Sequence, residues 1–289
     1  AIIAVLFTVL PIFFIEEPRE LKSENNDAVT QQKSSIKDMV ESILPLSGFL
    51  IYGIYVIVGK LFGLTVAGDI FGLDYIECAC VIIEILAILA VLFNATRSSE
   101  DNNQFQKILL AHSFTWWGVQ TMNIYMFFYV VNIITGIAGT EQTVNSMAFL
   151  VRDLIGAILP VLVLNVIAQK AGMAKTHTGS ILLMALGYGL IYFFGANIYV
   201  FFASLVIVGI GWASLVSLPF AIMSERVDQS KMGLYIGIFN LSVVLPQLVA
   251  SFKMGEVVNA AADKSIIFAI CAVCLLISGV LWIAVKDKK

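Results

Sequence analysis

The chain predicts an all-α, polytopic membrane protein. Three observations carry this. Of its 289 residues, 60% are hydrophobic and only 13% are charged. The mean hydropathy is +0.94. The apolar residues fall in runs near or above the roughly 20 that a helix needs to cross a bilayer core. A soluble globular domain is about half apolar and a quarter charged, so that class is excluded. The net charge of −3, with no basic tract, gives no reason to expect nucleic acid as a partner. Membrane lipid is the expected surrounding.

Residues 1–15 begin inside an apolar run, with no initiator Met and no basic n-region. They do not read as a signal peptide. They read as the tail of a preceding transmembrane helix, and the chain as the C-terminal part of a longer protein. Residues 16–42 mix Arg19, Lys22, Lys33 and Lys37 with Glu, Asn, Gln and Ser, the composition of a solvated linker. Residues 43–63 and 75–96 read as a transmembrane pair. Six further spans follow at 107–135, 146–169, 179–198, 199–223, 232–252 and 265–285. A short tail, 286–289, ends the chain.

Basic residues set the expected orientation. With the linker in the cytoplasm, thirteen Lys and Arg lie on that side; Lys60, Arg152, Lys253 and Lys264 lie outside. The positive-inside rule then places the C-terminus in the cytoplasm of a multi-pass cell membrane protein.

The most structured stretch is 211–252. Two apolar runs flank a short charged turn with Glu225, Arg226, Asp228 and Lys231. At about 100° per residue, Gly233, Gly237, Asn240 and Gln247 share one helix face. Two glycines admit a close neighbour, and two amides exclude bare lipid. That face is expected to meet another helix or a water-filled path.

The run Lys231-Met-Gly-Leu-Tyr-Ile-Gly-Ile-Phe-Asn240, followed by Leu245-Pro-Gln247, resembles the penultimate-helix signature of sucrose- and maltose-type sugar:proton symporters. These form part of the glycoside–pentoside–hexuronide branch of the major facilitator superfamily. Gly211-Trp-Ala-Ser214 and Leu218-Pro-Phe-Ala221 are similar to the tenth helix of those proteins. The resemblance implies that 107–285 is the C-terminal six-helix bundle of a twelve-helix transporter in a cell inner membrane. It implies proton-coupled symport of a sugar or glycoside by alternating access. It also implies that the proton-coupling carboxylate and much of the sugar site lie in a missing N-terminal half. The pair at 43–96 has no counterpart in the usual twelve helices. A non-transporting membrane sugar sensor or scaffold is the alternative, with that pair as its docking element.

Several side chains are candidates for the substrate path. Ser113, Trp116, Gln120 and Asn123 fall within an arc of about 80°. An indole can pack on the apolar face of a pyranose, and amides both donate to and accept from hydroxyls. The other reading is a polar helix contact with Trp116 and Trp117 in an interfacial belt. Arg152 and Asp153 sit inside a span, where charge is usually functional; snorkelling to the outer interface is the alternative. As neighbours about 100° apart, they need not pair. Asn240 and Gln247 either touch the sugar or bond between helices. Ser214 and Ser217 line a path or bond back to their own helix. Glu77 and Glu84, on one face of the extra pair, read as structural polar contacts, with a proton relay as the alternative.

Cys78, Cys80, Cys271 and Cys274 lie in apolar runs and read as packed small residues. The segment 169–175 sits where the superfamily often places a basic, glycine-containing loop. Pro160, Pro219 and Pro246 are expected to kink their helices. The two histidines, His112 and His177, fall at expected loop margins. No nucleotide loop, metal spacing or nucleophile motif is present, so no enzyme activity and no cofactor are expected.

Overall fold

The computed structural model describes residues 40–64, 66–68, 70 and 72–288. The expected helix tail at 1–15, and the linker at 16–42 up to residue 39, lie outside the described residues. The described chain is helical. Its helices are α1 (Val40–Phe62), α2 (Tyr75–Leu92), α3 (Glu100–Ile133), α4 (Glu141–Ala171), α5 (Met173–Phe194), α6 (Ile198–Ser224), α7 (Met232–Ala260) and α8 (Ile266–Ile283). All but α3 are long and apolar enough to cross a membrane. α3 has the length, at 34 residues, but its buried face carries Gln104, Gln106, His112, Ser113, Thr115 and Thr121. Helices α7, α8, α4 and α6 pack against it, so this polar face meets protein.

Local chemistry fixes the ends. α1 stops at Gly63, whose φ of 65° is left-handed. α2 starts with a capping box: the Asp74 carboxylate accepts from the Glu77 N–H at 2.8 Å, and the Glu77 carboxylate accepts from the Asp74 N–H at 3.0 Å. Asn197 caps α6 through the Tyr199 N–H at 2.9 Å. Asp228 caps the turn before α7. The Ser230 N–H and hydroxyl bonded to it hold its carboxyl below the usual carboxylate range.

The segment expected as a loop at 169–175 is instead a single-residue break. α4 runs to Ala171, Gly172 turns at φ 99°, and α5 begins at Met173. Asp287 takes the free Ala174 N–H at 2.7 Å. A Cβ at Gly172 would lie 2.1 Å from that carboxylate.

The order of packing follows one path: α4 on α6, α6 on α5, α5 on α8, α8 on α3, α3 on α7, α7 on α1 and α1 on α2. Buried apolar residues form two clusters, one toward each end of the bundle. One holds Met122, Tyr129, Tyr188, Phe201 and Phe268; the other holds Phe105, Leu109, Met223, Phe239 and Trp282. Few apolar forces distinguish helix from lipid, so polar ties and close approach do much of the joining. The Thr115 and Ser278 hydroxyls lie 2.6 Å apart between α3 and α8. The Tyr129 hydroxyl donates to the Ile191 carbonyl at 2.9 Å, between α3 and α5.

Between α5 and α6, a Cβ on Gly187 would sit 2.8 Å from Val208 Cγ2 and 3.1 Å from the Ser204 carbonyl oxygen and the Val208 nitrogen. Two of those atoms are backbone and cannot turn aside. Gly187→Leu is therefore expected to lower stability by about 1–3 kcal/mol, as overpacked cores do. The thermal unfolding midpoint in detergent measures it.

The outward faces carry Ile82, Leu86, Val161, Leu162, Phe193 and Val280, all more than half exposed. So broad an apolar exterior suits lipid and not water. The fold is thus an all-helical, multi-pass membrane protein.

Candidate functional site

A polar cluster gathers where α3, α4 and α6 meet. Its centre is Arg152, at the middle of α4 and 5% exposed. Arg152 Nη1 donates to Asn123 Oδ1 on α3 at 2.6 Å. Arg152 Nε donates to Asp153 Oδ1 at 2.8 Å, and Nη2 lies 2.8 Å from the same oxygen. Asn123 Nδ2 donates to Gln120 Oε1 at 3.3 Å, which brings in the next turn of α3. Gln120, Asn123 and Arg152 therefore come together as one hydrogen-bonded set.

Arg152 and Asp153, which as neighbours need not pair, do so here. Their Cα–Cβ vectors diverge, but the long Arg side chain folds back to its neighbour's carboxylate. Asp153 is about half exposed, so it keeps an open acceptor edge. Snorkelling also fails as a description: the guanidinium lies inward, over the Trp212 ring at 4.3 Å and beside Phe149 at 4.9 Å.

Trp212 is the member that sequence reasoning missed as a site residue, though its Gly211-Trp-Ala-Ser214 run stood out. It reaches Arg152 because position 156, one turn along α4, is glycine: a Cβ there would lie 2.5 Å from Trp212 Cδ1. Trp116 of α3 meets Trp212 edge to face, with centroids 6.2 Å apart. Both Trp residues are half-buried, so each presents part of a ring beside the guanidinium and the amides. Trp116 and Trp117 are both partly buried and pack against the buried clusters.

The histidines are also placed differently from expectation. His112 and His177 are buried inside α3 and α5. Expected spans began at 107 and 179; the helices start at Glu100 and Met173, and the extra turns draw both rings indoors. His112 Nε2 accepts from Trp116 Nε1 at 2.8 Å, and its ring stacks on Phe239. His112 thereby sets the tilt of Trp116. His177 Nδ1 bonds the Ser214 hydroxyl at 2.7 Å, tying α5 to α6. Ser217 bonds back to the Ala213 carbonyl.

Asn240 and Gln247 do not join this cluster. Both are exposed on α7, as are Gly233 and Gly237, and a Cβ on either glycine meets nothing within 4 Å. Among the described residues no helix covers that face.

The charges of the extra pair are spoken for differently. Glu77 pairs with Lys253 of α7 at 2.7 Å. Glu84 Oε2 accepts from the Gly48 N–H at 3.0 Å. Lys253, expected on the outer side beyond the end of a span at 252, is instead a buried residue within α7, which continues to Ala260.

Chemically, the cluster offers what a polyhydroxylated, uncharged solute needs. Three of the five guanidinium N–H groups are used, which leaves two to donate. The amides donate and accept, Asp153 accepts, and two indoles supply flat apolar surface. The family described as MFS/sugar transport protein matches residues 89–233, half of the chain. That stretch contains Trp116, Gln120, Asn123, Arg152, Asp153 and Trp212; it leaves out α1, most of α2, nearly all of α7 and the whole of α8. No curated protein and no solved structure matches the chain.

Proposed function

The chain belongs to the MFS/sugar transport protein family, and from that premise we propose that it carries a sucrose- or maltose-type glycoside together with a proton, by alternating access. Membership makes it a membrane sugar transporter. The finer reading rests on one observation: the family stretch brings Gln120, Asn123, Arg152 and Asp153 into one set beside Trp116 and Trp212.

In this reading the two indoles flank a pyranose ring. Gln120 and Asn123 exchange hydrogen bonds with its hydroxyls. The free guanidinium N–H groups donate to a hydroxyl, and Asp153 accepts from one. Asn240 and Gln247, on the open face of α7, form a further wall of the path. The protein sits in a cell inner membrane with its C-terminus in the cytoplasm.

The experiment is uptake of labelled sucrose and maltose into proteoliposomes holding the full-length protein, with and without an inward proton gradient. Gradient-stimulated uptake is expected. Asn123→Ala and Gln120→Ala are each expected to reduce it about tenfold, the loss of one or two ligand hydrogen bonds at about 1 kcal/mol each. Saturable binding with no gradient-driven uptake would replace symport with the sensor reading. No binding of either sugar would overturn the glycoside assignment.

A further inference from the structure

A cavity of about 650 Å³ lies away from the polar cluster, where α1 and α2 meet α3 and α7. Its wall is mostly apolar. Phe49, Phe114 and Trp117 form an aromatic corner, with each pair of rings within 6.0 Å between centroids. Val81 and Ile85, at the outer side of α2, are about half exposed and mark the mouth on the lipid-facing flank.

Four charged residues line the wall, Glu77, Glu84, Lys253 and Glu256, and Glu84 stands apart from the other three. Glu84 is 8% exposed. Gly48 allows α1 to close on α2, because a Cβ there would fall 2.6 Å from the Cys80 carbonyl oxygen and 2.7 Å from Glu84 Cβ. The Gly48 N–H can then satisfy Glu84 Oε2 at 3.0 Å. Glu84 Oε1 is buried and has no hydrogen-bond partner. No ion pair reaches it among the described residues. The nearby cation of the wall, Lys253, is already taken: its ammonium donates to Glu77, Glu256 and the Gly72 carbonyl. A carboxylate at membrane depth without a cation is costly, so such a group either holds a proton or exchanges it for a matching cation.

We infer that this cavity binds a lipophilic organic cation, an ammonium or phosphonium on an apolar body. The charge sits beside Glu84 Oε1, and the aromatic corner takes the apolar substituents and adds cation–π attraction. A neutral alkyl chain would fill the same space and leave the carboxylate unmatched. The Trp117 indole N–H is also buried and unpartnered, so a hydroxyl or carbonyl oxygen on the ligand gains an additional bond. This site is independent of the sugar reading, because none of the polar-cluster residues lines it.

The test is equilibrium binding of tritiated tetraphenylphosphonium to the protein in phosphatidylcholine nanodiscs. Saturable binding is expected. Glu84→Gln keeps an acceptor for the Gly48 N–H and removes only the charge; it is expected to weaken binding roughly tenfold or more. Val81→Trp, at the exposed mouth, is expected to block binding without touching the buried core. Dodecyltrimethylammonium should displace the probe, and dodecanol, of equal chain length and uncharged, should not. Absence of saturable binding, equal binding by Glu84→Gln, or displacement by dodecanol would each overturn the assignment.

Discussion

Replacing Arg152 with leucine is expected to reduce sugar uptake by the full-length protein by about 30-fold or more. The change strips three things from one place. Asn123 Oδ1 loses the donor that holds it at 2.6 Å. Asp153 loses its cation. Trp212 loses the guanidinium lying 4.3 Å over its ring. Truncating one partner of a buried, hydrogen-bonded charge pair costs about 2–5 kcal/mol; at 1.4 kcal/mol per tenfold, the lower bound is about 30-fold. Asp153 is half exposed, so the larger share of the expected loss is assigned to the buried contact with Asn123.

Arg152→Lys separates charge from shape. A lysine keeps the positive charge but cannot bond Asn123 and Asp153 as a planar fork. It is expected to lose about tenfold in uptake, with most of the change in KM. Thermal midpoints of both variants, compared with wild type, report whether the helices remain joined. If Arg152→Leu transported at the wild-type rate, the cluster would be a tie between α3 and α4 and no part of the sugar path.

The helices were legible because lipid imposes a coarse rule. Each span needs its length in apolar residues, and hydropathy records that directly. Even α3, the least apolar, was visible through its apolar run, although its polar first turns from Glu100 were not. What hydropathy does not record is a charge whose partner is distant in sequence. Lys253 reads as the edge of a span, and α7 as ending at 252. The helix continues to Ala260 because Glu77 of α2 meets that ammonium inside the protein. In the same way, the histidines look like loop residues until polar first turns are added to their helices.

The site was legible in part for a similar reason. Gln120, Asn123 and Arg152 stand out because amides and charge are rare in spans. Trp212 does not, since an aromatic residue in an apolar run is ordinary. Its role depends on the space left by Gly156 on another helix, and a pairing between two helices leaves no periodic trace in one sequence.

The second large effect concerns how α2 is held to α7. Lys253→Met is expected to destabilise the protein by about 3–5 kcal/mol. Lys253 and Glu77 side chains are 11% and 10% exposed, so water screens neither. The three ammonium protons are spent on Glu77 at 2.7 Å, the Gly72 carbonyl at 2.8 Å and Glu256 at 3.0 Å. Glu256 is 72% exposed and returns to water on losing Lys253. Glu77 cannot: its Oε2 is left with the Asp74 N–H of the capping box and an unmatched charge. The penalty is therefore that of a stranded carboxylate more than of a lost bond. The double variant Glu77→Met, Lys253→Met tests this, because it removes both charges and leaves apolar side chains of fitting length. Its thermal midpoint should recover to near wild type, minus about 1 kcal/mol for the broken capping box. A double variant as unstable as Lys253→Met alone would mean that the pair itself, and not the avoidance of a lone buried charge, joins the two helices.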